Sequence, residues 1–463
     1  MNLYKLDLFY MLPEIFFGLM IILIFNFGLY YEESKASPEL CIQSQLIEFW
    51  LLCFLLKSID KNIFVMLNSY VLDSWSTILK IILLILGFFY LFFLKDVSFE
   101  FITLIMIFKF SSFFLLSAHN FLIFYLALEL GAFVLYLLVA SRKEDIFSTE
   151  GGLKYFVLGS FSSILVVLGI SFIYGLVGSL DFTDVLMFGS DLEWSEGKVY
   201  LSVSIFFILV GLCFKLGLAP FHFWVPDVYQ GSSWIVLIFL VVFSKIGIFG
   251  ILVRLIYEVF VFDFESISLF FFFLGLLSLF VGSLGALSQT NLKRLVGYSG
   301  IGHMGFIIFG LSTGTGLGLL SSLFYFIFYL LLNMGWLLIL KKAKAERLED
   351  LKGTSKWLGS YLTLTMFSVA GVPPLGGFFM KLYLFFSLVQ LSLWLALFLL
   401  ILASMLAAYY YLRLIQMVNF SKGFIRKEEK MGIAEGYVLI ILLYINLFFI
   451  FFQNYLLIFL LNQ

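Results

Sequence analysis

Apolar runs of about 20 residues, enough to cross a hydrocarbon core of roughly 30 Å, recur from Met11 to the C-terminus and are divided by short stretches rich in charge, glycine or proline. The pattern predicts fourteen transmembrane helices, near residues 11–31, 42–57, 75–94, 99–118, 120–140, 153–178, 200–229, 233–257, 266–287, 294–311, 317–340, 357–391, 392–418 and 435–461. A membrane barrel would instead show alternating segments of about ten residues, and helices satisfy their own backbone polar groups in lipid. The second span carries Gln43, Gln45 and Glu48 near its start and Lys57 at its end, so an interfacial helix competes with a crossing one there.

The connecting stretches set an orientation. Lys293 and Arg294 follow the ninth span, Lys341, Lys342, Lys344, Arg347, Lys352 and Lys356 the eleventh, and Lys422, Arg426, Lys427 and Lys430 the thirteenth. Acidic residues dominate after the sixth (Asp181, Asp184, Asp191, Glu193, Glu196) and the eighth (Glu258, Asp263, Glu265). The positive-inside rule therefore puts the ends of odd-numbered spans on the matrix or cytoplasmic side. The loop with Glu32, Glu33, Lys35 and Glu39 does not follow the trend.

Two spans are interrupted, in FKLGLAPFHFWVPDVYQGS at Lys215–Pro226 and in GVPPLGGFFMK at Gly371–Lys381, five helices apart. Proline removes a donor and clashes with the preceding turn. Unwound backbone at membrane depth is tolerated only where protein or a wet cavity covers it. A pair of breaks in corresponding halves points to an internally repeated transporter with sites near the midplane.

Composition agrees with a membrane class and excludes others. The 463 residues are 63% hydrophobic and 12% charged, against about 25% charged in a soluble domain. Cys41, Cys53 and Cys213 have no paired spacing, and His119, His222 and His303 assemble no metal motif. The sequence shows no Gly-rich phosphate loop after a strand, and a net charge of −1 leaves no nucleic-acid footprint. Met1–Tyr10 carries Lys5 and Asp7 without a signal-peptide head or an Arg-rich presequence, so import from another compartment is not expected. The 61 phenylalanines suggest an AT-biased organellar genome.

Charges inside the apolar runs carry the chemistry. Glu129 sits mid-span in FLIFYLALELGAFVLYLLVA, Lys215 and Lys381 beside the two breaks, and Lys245 near the middle of the eighth helix. Burying one such charge at the bilayer centre costs several kcal/mol unless it is offset. Desolvation disfavours a charged lysine and a nearby carboxylate favours it, so a lysine between the two influences can bind and release a proton. A static ion pair, or snorkelling along the aliphatic stem, is the alternative. His222 and His303 either relay protons or hydrogen-bond carbonyls. His119, between the fourth and fifth helices, is expected to be interfacial. Lys109 falls mid-span with no obvious partner, open between a helix-interface ion pair and a proton-path role, Lys293 and Arg294 are expected to set topology or meet headgroups, and Asp227 to cap the end of the first break.

FKLGLAPFHFWVPDVYQGS with Lys245 thirty residues on, SQTNLKRLVGYSGIGHMGF, SVAGVPPLGGFFMKLYLF and ALELGAFVLYLLVASRKEDIFSTEGGLKYFVLGSFSS resemble the subunit 2 family of respiratory complex I, bacterial N-type antiporter-like subunits, over roughly residues 100–420. That family is similar in turn to sodium/proton antiporter subunits. The resemblance implies an all-α membrane fold of two inverted five-helix repeats, each with a discontinuous helix. Its divisions fall at 1–98 (three helices), 99–260 (helices 4–8), 261–420 (helices 9–13) and 421–463 (helix 14). Carried over by motif, Glu129 matches the fifth-helix glutamate, Lys215 the broken-helix lysine, Lys245 the connecting lysine and Lys381 the lysine of the second half-channel. The subunit 5 type usually adds a long lateral helix, which is not expected here. The wording GLKYFVLGSFSS and PFHFWVPDVYQG favours subunit 2 over subunit 4. Where the family has Pro-Thr-Pro after the first break, this chain has Ser232, Ser233 and Trp234, and its YSS turn is Tyr298, Ser299, Gly300.

The function implied is proton translocation across a mitochondrial inner membrane, or a bacterial plasma membrane, as part of NADH:ubiquinone oxidoreductase. No cofactor is expected on this chain; NADH, flavin, iron–sulfur clusters and ubiquinone would belong to other subunits. Expected partners are other membrane-arm subunits, among them a subunit 4-type antiporter-like chain and a small 4L-type chain, with lipids such as cardiolipin and no nucleic acid. A passive scaffold and a stand-alone cation/proton antiporter are the rival functions.

Overall fold

A computed structural model describes residues 10–30, 33–56, 62–94, 97–191, 196–420 and 431–461. Helices dominate it: α1 (Leu12–Tyr30), α2 (Glu33–Leu56), α3 (Ser74–Leu91), α4 (Phe99–Leu116), α5 (Phe121–Val139), α6 (Ile146–Val177), α7 (Phe182–Asp191), α8 (Glu196–Leu216), α9 (Trp224–Gly231), α10 (Trp234–Val242) and α11 (Ser244–Arg254). After a π turn at Leu255–Val259 come α12 (Phe264–Ser288), α13 (Leu292–Leu311), α14 (Gly316–Ala343), α15 (Lys356–Ala370), α16 (Gly376–Gln390), α17 (Trp394–Asn419) and α18 (Ile433–Leu461). Among the described residues, 11 helices are long and apolar enough to cross a membrane, with Trp234–Val259 counted as one span. With α13, the α15–α16 pair and α18 they match the spans that the apolar pattern predicts.

Three local features depart from that pattern. A two-stranded antiparallel hairpin, β1 (Ile63–Val65) with β2 (Tyr70–Leu72), precedes α3. Its three-residue strands are too short to give a readable alternation. The short α7 follows the sixth span and buries Phe182, Val185 and Gly189. The eighth span is not continuous, since a turn at Phe243 separates α10 from α11 immediately before Lys245.

Two starts move outward. The second helix begins at Glu33, because polarity marks the membrane edge and not the helix end: a helix closes its own hydrogen bonds in either solvent. It is long and apolar enough to cross a membrane, with Glu39–Leu56 as its apolar window and Glu48 fully buried. The sixth begins at Ile146, where the Asp145 carboxylate accepts from the Phe147 N–H at 3.0 Å and serves as a cap. Lys57, Glu193, Lys422, Arg426, Lys427 and Lys430 lie outside the described residues.

The chain divides into two compact units. The first comprises 1–141, 155–215 and 243–263; the second comprises 142–154, 216–242 and 264–463. In the second unit α12 and α13 cross at glycines, and a Cβ at Gly282 would lie 2.4 Å from the Gly302 nitrogen and 2.8 Å from the Tyr298 oxygen. Gly282→Leu is expected to force these backbones apart and cost about 1–3 kcal/mol. A lowered midpoint of thermal unfolding in detergent would register it.

Candidate functional site

In the first unit, α5 and α8 bring Glu129 and Lys215 together, with Nζ donating to Oε1 at 3.2 Å. The lysine is in the last turn of α8, which ends at Leu216 where the break begins. Side-chain exposures of 9% for Lys215 and 16% for Glu129 leave the pair short of full burial. A cavity of about 30 Å³ adjoins Lys215; its lining is mainly apolar, with Ser111, Ser112, Tyr136, Tyr155 and Ser244 among the residues around it. Roughly 10–15 Å³ suffices for one water, so a water-sized space adjoins the lysine of the ion pair. Lys245 is buried at 4% exposure on the first turn of α11, next to the turn at Phe243.

In the second unit the other break is built differently. α15 ends at Ala370 on Gly371, whose φ of 93° is left-handed. The Lys381 ammonium reaches back from α16 to donate to the Val369 oxygen at 3.1 Å and the Ala370 oxygen at 2.8 Å. These are carbonyls at the negative end of α15, which favours a cation. Phe306 places its ring 6.0 Å from the ammonium. Nearby in sequence to Phe306, His303 is buried between two tyrosines, Nδ1 at 2.9 Å from the Tyr325 hydroxyl and Nε2 at 2.8 Å from that of Tyr411. Both ring nitrogens of His303 thus face tyrosine hydroxyls.

The other break also contains His222, which stacks on Phe223 at 4.7 Å. Its Nδ1 is buried with no hydrogen-bond partner among the described residues. Ala219 donates its N–H to the Ser278 hydroxyl at 2.9 Å, so the unwound backbone is satisfied by a side chain of α12. Glu129, Lys215 and Lys245 thus belong to the first unit, and His222, His303 and Lys381 to the second.

Residues 118–407 match the family described as NADH:quinone oxidoreductase/Mrp antiporter, transmembrane. The chain belongs to this family. It is 36% identical to the NADH-quinone oxidoreductase subunit N of Pelagibacter ubique over 89% of this chain and 90% of that one. It is also 36% identical to the NADH-ubiquinone oxidoreductase chain 2 of Marchantia polymorpha, over 70% of this chain and 68% of that one. A chain of respiratory complex I from Thermus thermophilus superposes with a TM-score of 0.80 at 28% identity, covering 94% of this chain and 97% of that one. The family and the apolar helices make this a multi-pass protein of a bacterial or organellar inner membrane.

Against the family frame, several side chains stand where the sequence did not place them. Lys109 has a partner after all, Glu48 of α2, and neither side chain is exposed. Glu14 and Lys80 form a second buried pair at 2.8 Å. Both acids sit in helices far from their bases along the chain, so no local spacing could announce them. Asp227 stands in the first turn of α9 and pairs with Lys154 at 2.9 Å and Arg294 at 3.3 Å; it does not end the break. Lys293 is turned inward and donates to the Ser232 oxygen at 2.9 Å. Both basic residues therefore make contacts within the chain, beside the expectation that they set topology or meet headgroups.

His119 is 8% exposed at the α4–α5 junction. Burial, and then the charge of Arg254, push its imidazole below the ordinary range, which favours the neutral ring.

Gly371→Val is expected to strain the left-handed position and crowd Lys381, whose Nζ would lie 3.2 Å from the new Cβ. The loss should be about 1–3 kcal/mol of stability, measurable as a fall in thermal midpoint, and Gly371→Asn should be milder because asparagine tolerates that region.

Proposed function

We propose that the chain is a proton-translocating membrane-arm subunit of an NADH:quinone oxidoreductase, coupling electron transfer carried out by other subunits to proton movement across the membrane. The observation that carries this reading is the Glu129–Lys215 pair at a broken helix, with a cavity large enough for water beside the lysine. An ammonium held by a carboxylate binds its proton; neutralising or withdrawing that carboxylate leaves burial to favour release.

The roles follow from position. Glu129 tunes Lys215, Lys245 carries protons onward beside the turn at Phe243, and Lys381 exchanges protons with the far side. Val369 and Ala370 carbonyls hold the charged form of Lys381. His303 with its two tyrosines is a relay of three groups that can each donate and accept. NADH, flavin, iron–sulfur clusters and ubiquinone are assigned to other subunits, as are the redox steps. The partners proposed are a subunit 4-type antiporter-like chain and a small 4L-type chain, with cardiolipin among the lipids.

Lys215→Met in the assembled complex is expected to lower protons pumped per NADH oxidised, with subunit content unchanged. An unaltered ratio would reject the reading. Loss of assembly at normal pumping per complex would favour the scaffold, and transport by the purified chain without NADH would favour a stand-alone antiporter.

A further inference from the structure

The two unforeseen ion pairs lie along one face of α4 in the first unit. Lys109, Phe113 and Ser117 recur at four-residue intervals, so they stack at steps of about 6 Å. At the lowest step Lys109 pairs with Glu48, and its ammonium faces the Phe243 ring at 5.7 Å. One turn on, the Phe113 ring lies 5.4 Å from Lys80 Nζ. That ammonium donates to Glu14 Oε1 and to the Tyr70 hydroxyl, each at 2.8 Å, and the Tyr70 hydroxyl donates to Glu14 at 2.7 Å.

At the top step the hairpin docks on the helix end. The Ser117 oxygen accepts the Val71 N–H at 2.9 Å. Arg254 donates to the Leu116 oxygen at 3.0 Å and the Ala118 oxygen at 3.3 Å, and pairs with Asp73 and, at 3.2 Å, with Glu258. Asp73 is 18% and Glu258 49% exposed, so the series ends in carboxylates that meet solvent. The loop charges put this end on the outer side.

The foot of the series adjoins the proposed proton site. Ser111, two residues from Lys109, lines the Lys215 cavity and would lie 2.9 Å from a Cβ at Gly131 of α5. α4 therefore carries the Lys109–Glu48 pair on one side and faces the helix of Glu129 on another, at similar depth.

A purely stabilising role does not account for these pairs. Replacing a buried ion pair by apolar residues of similar volume is often neutral or stabilising. Each acid also uses only one oxygen: Oε2 of Glu48 and Oε2 of Glu14 are buried with no hydrogen-bond partner among the described residues. An acceptor is thus left open at both levels. Room for the lower pair comes from Gly87, where a Cβ would lie 2.5 Å from Lys109 Nζ and 2.8 Å from Glu48 Oε2.

We propose that Glu48–Lys109 and Glu14–Lys80–Tyr70 form a proton-release branch of the first unit, running along α4 through the N-terminal helices to the outer surface at Asp73 and Glu258. This rests on the proton-translocating function proposed above. A proton reaching the lower couple raises its charge by one and restores it on leaving. The open carboxylate oxygen of Glu14 and the Tyr70 hydroxyl receive the proton one to two turns higher, and the surface carboxylates pass it to water. Only N–H and O–H bonds form and break.

Two double variants test the branch in the assembled complex: Glu48→Gln with Lys109→Met, and Glu14→Gln with Lys80→Met. Each removes protonation without leaving an unpaired buried charge. Protons pumped per NADH are measured per assembled complex, beside Lys215→Met. Both doubles are expected to lose a share of pumping comparable to that lost in Lys215→Met. Full pumping in either double, with Lys215→Met impaired, overturns the branch and leaves the function standing; full pumping in Lys215→Met overturns the function itself. Should a double leave no complex, Tyr70→Phe decides by removing the hydroxyl alone: a lowered ratio supports the branch and an unchanged one overturns it.

Discussion

An ionised side chain in hydrocarbon costs several kcal/mol unless a partner or a polar cavity offsets the cost, and that constraint organises this protein more than any apolar contact. The buried lysines described in detail meet it in two ways. Lys80, Lys109 and Lys215 take a carboxylate from another helix. Lys381 takes the carbonyl end of α15. Each solution fixes helix positions, because a pair at 3 Å cannot form unless two spans cross at matching depth.

The two solutions differ chemically. A carboxylate can be protonated, so its hold on a lysine is switchable; a carbonyl pair cannot be, so its hold persists while the break keeps its shape. Lys215 sits beside a carboxylate and a water-sized cavity. Lys381 sits on backbone whose geometry depends on the left-handed Gly371. Electrostatics can thus control the first lysine, whereas the second answers to the conformation of its break. On the proposed function, the same proline-broken design serves two modes of control, one in each unit.

Much of this was legible in the sequence. The spans follow from the apolar runs, and the breaks from Pro220, Pro226, Pro373 and Pro374, since proline acts locally. Glu129, Lys215, Lys245 and Lys381 were visible because a charge inside an apolar run is conspicuous wherever it points. Partners were not. Glu48 lies 61 residues from Lys109 and Glu14 lies 66 from Lys80, and helix packing, not spacing, decides which faces meet. Glu48 leaves an interfacial helix open beside a crossing one in the sequence, and only packing shows that its carboxylate is fully buried. The turn at Phe243 carries no proline or glycine signal at all.

A last consequence concerns α4. Its hydrophobicity is distributed evenly around the axis, as expected of a helix covered by protein on most sides. Helices α1, α2 and α3 supply Glu14, Glu48, Lys80 and the space at Gly87 on its one side, and α5 and α11 cover the rest through Gly131 and Gly247. If the N-terminal helices served only to shield α4 from lipid, leucine at all these positions would do so with no desolvation cost. The charges instead line the shared face, where they fix the N-terminal helices against α4 and, on the proposed branch, tie protonation there to the cavity on its other side.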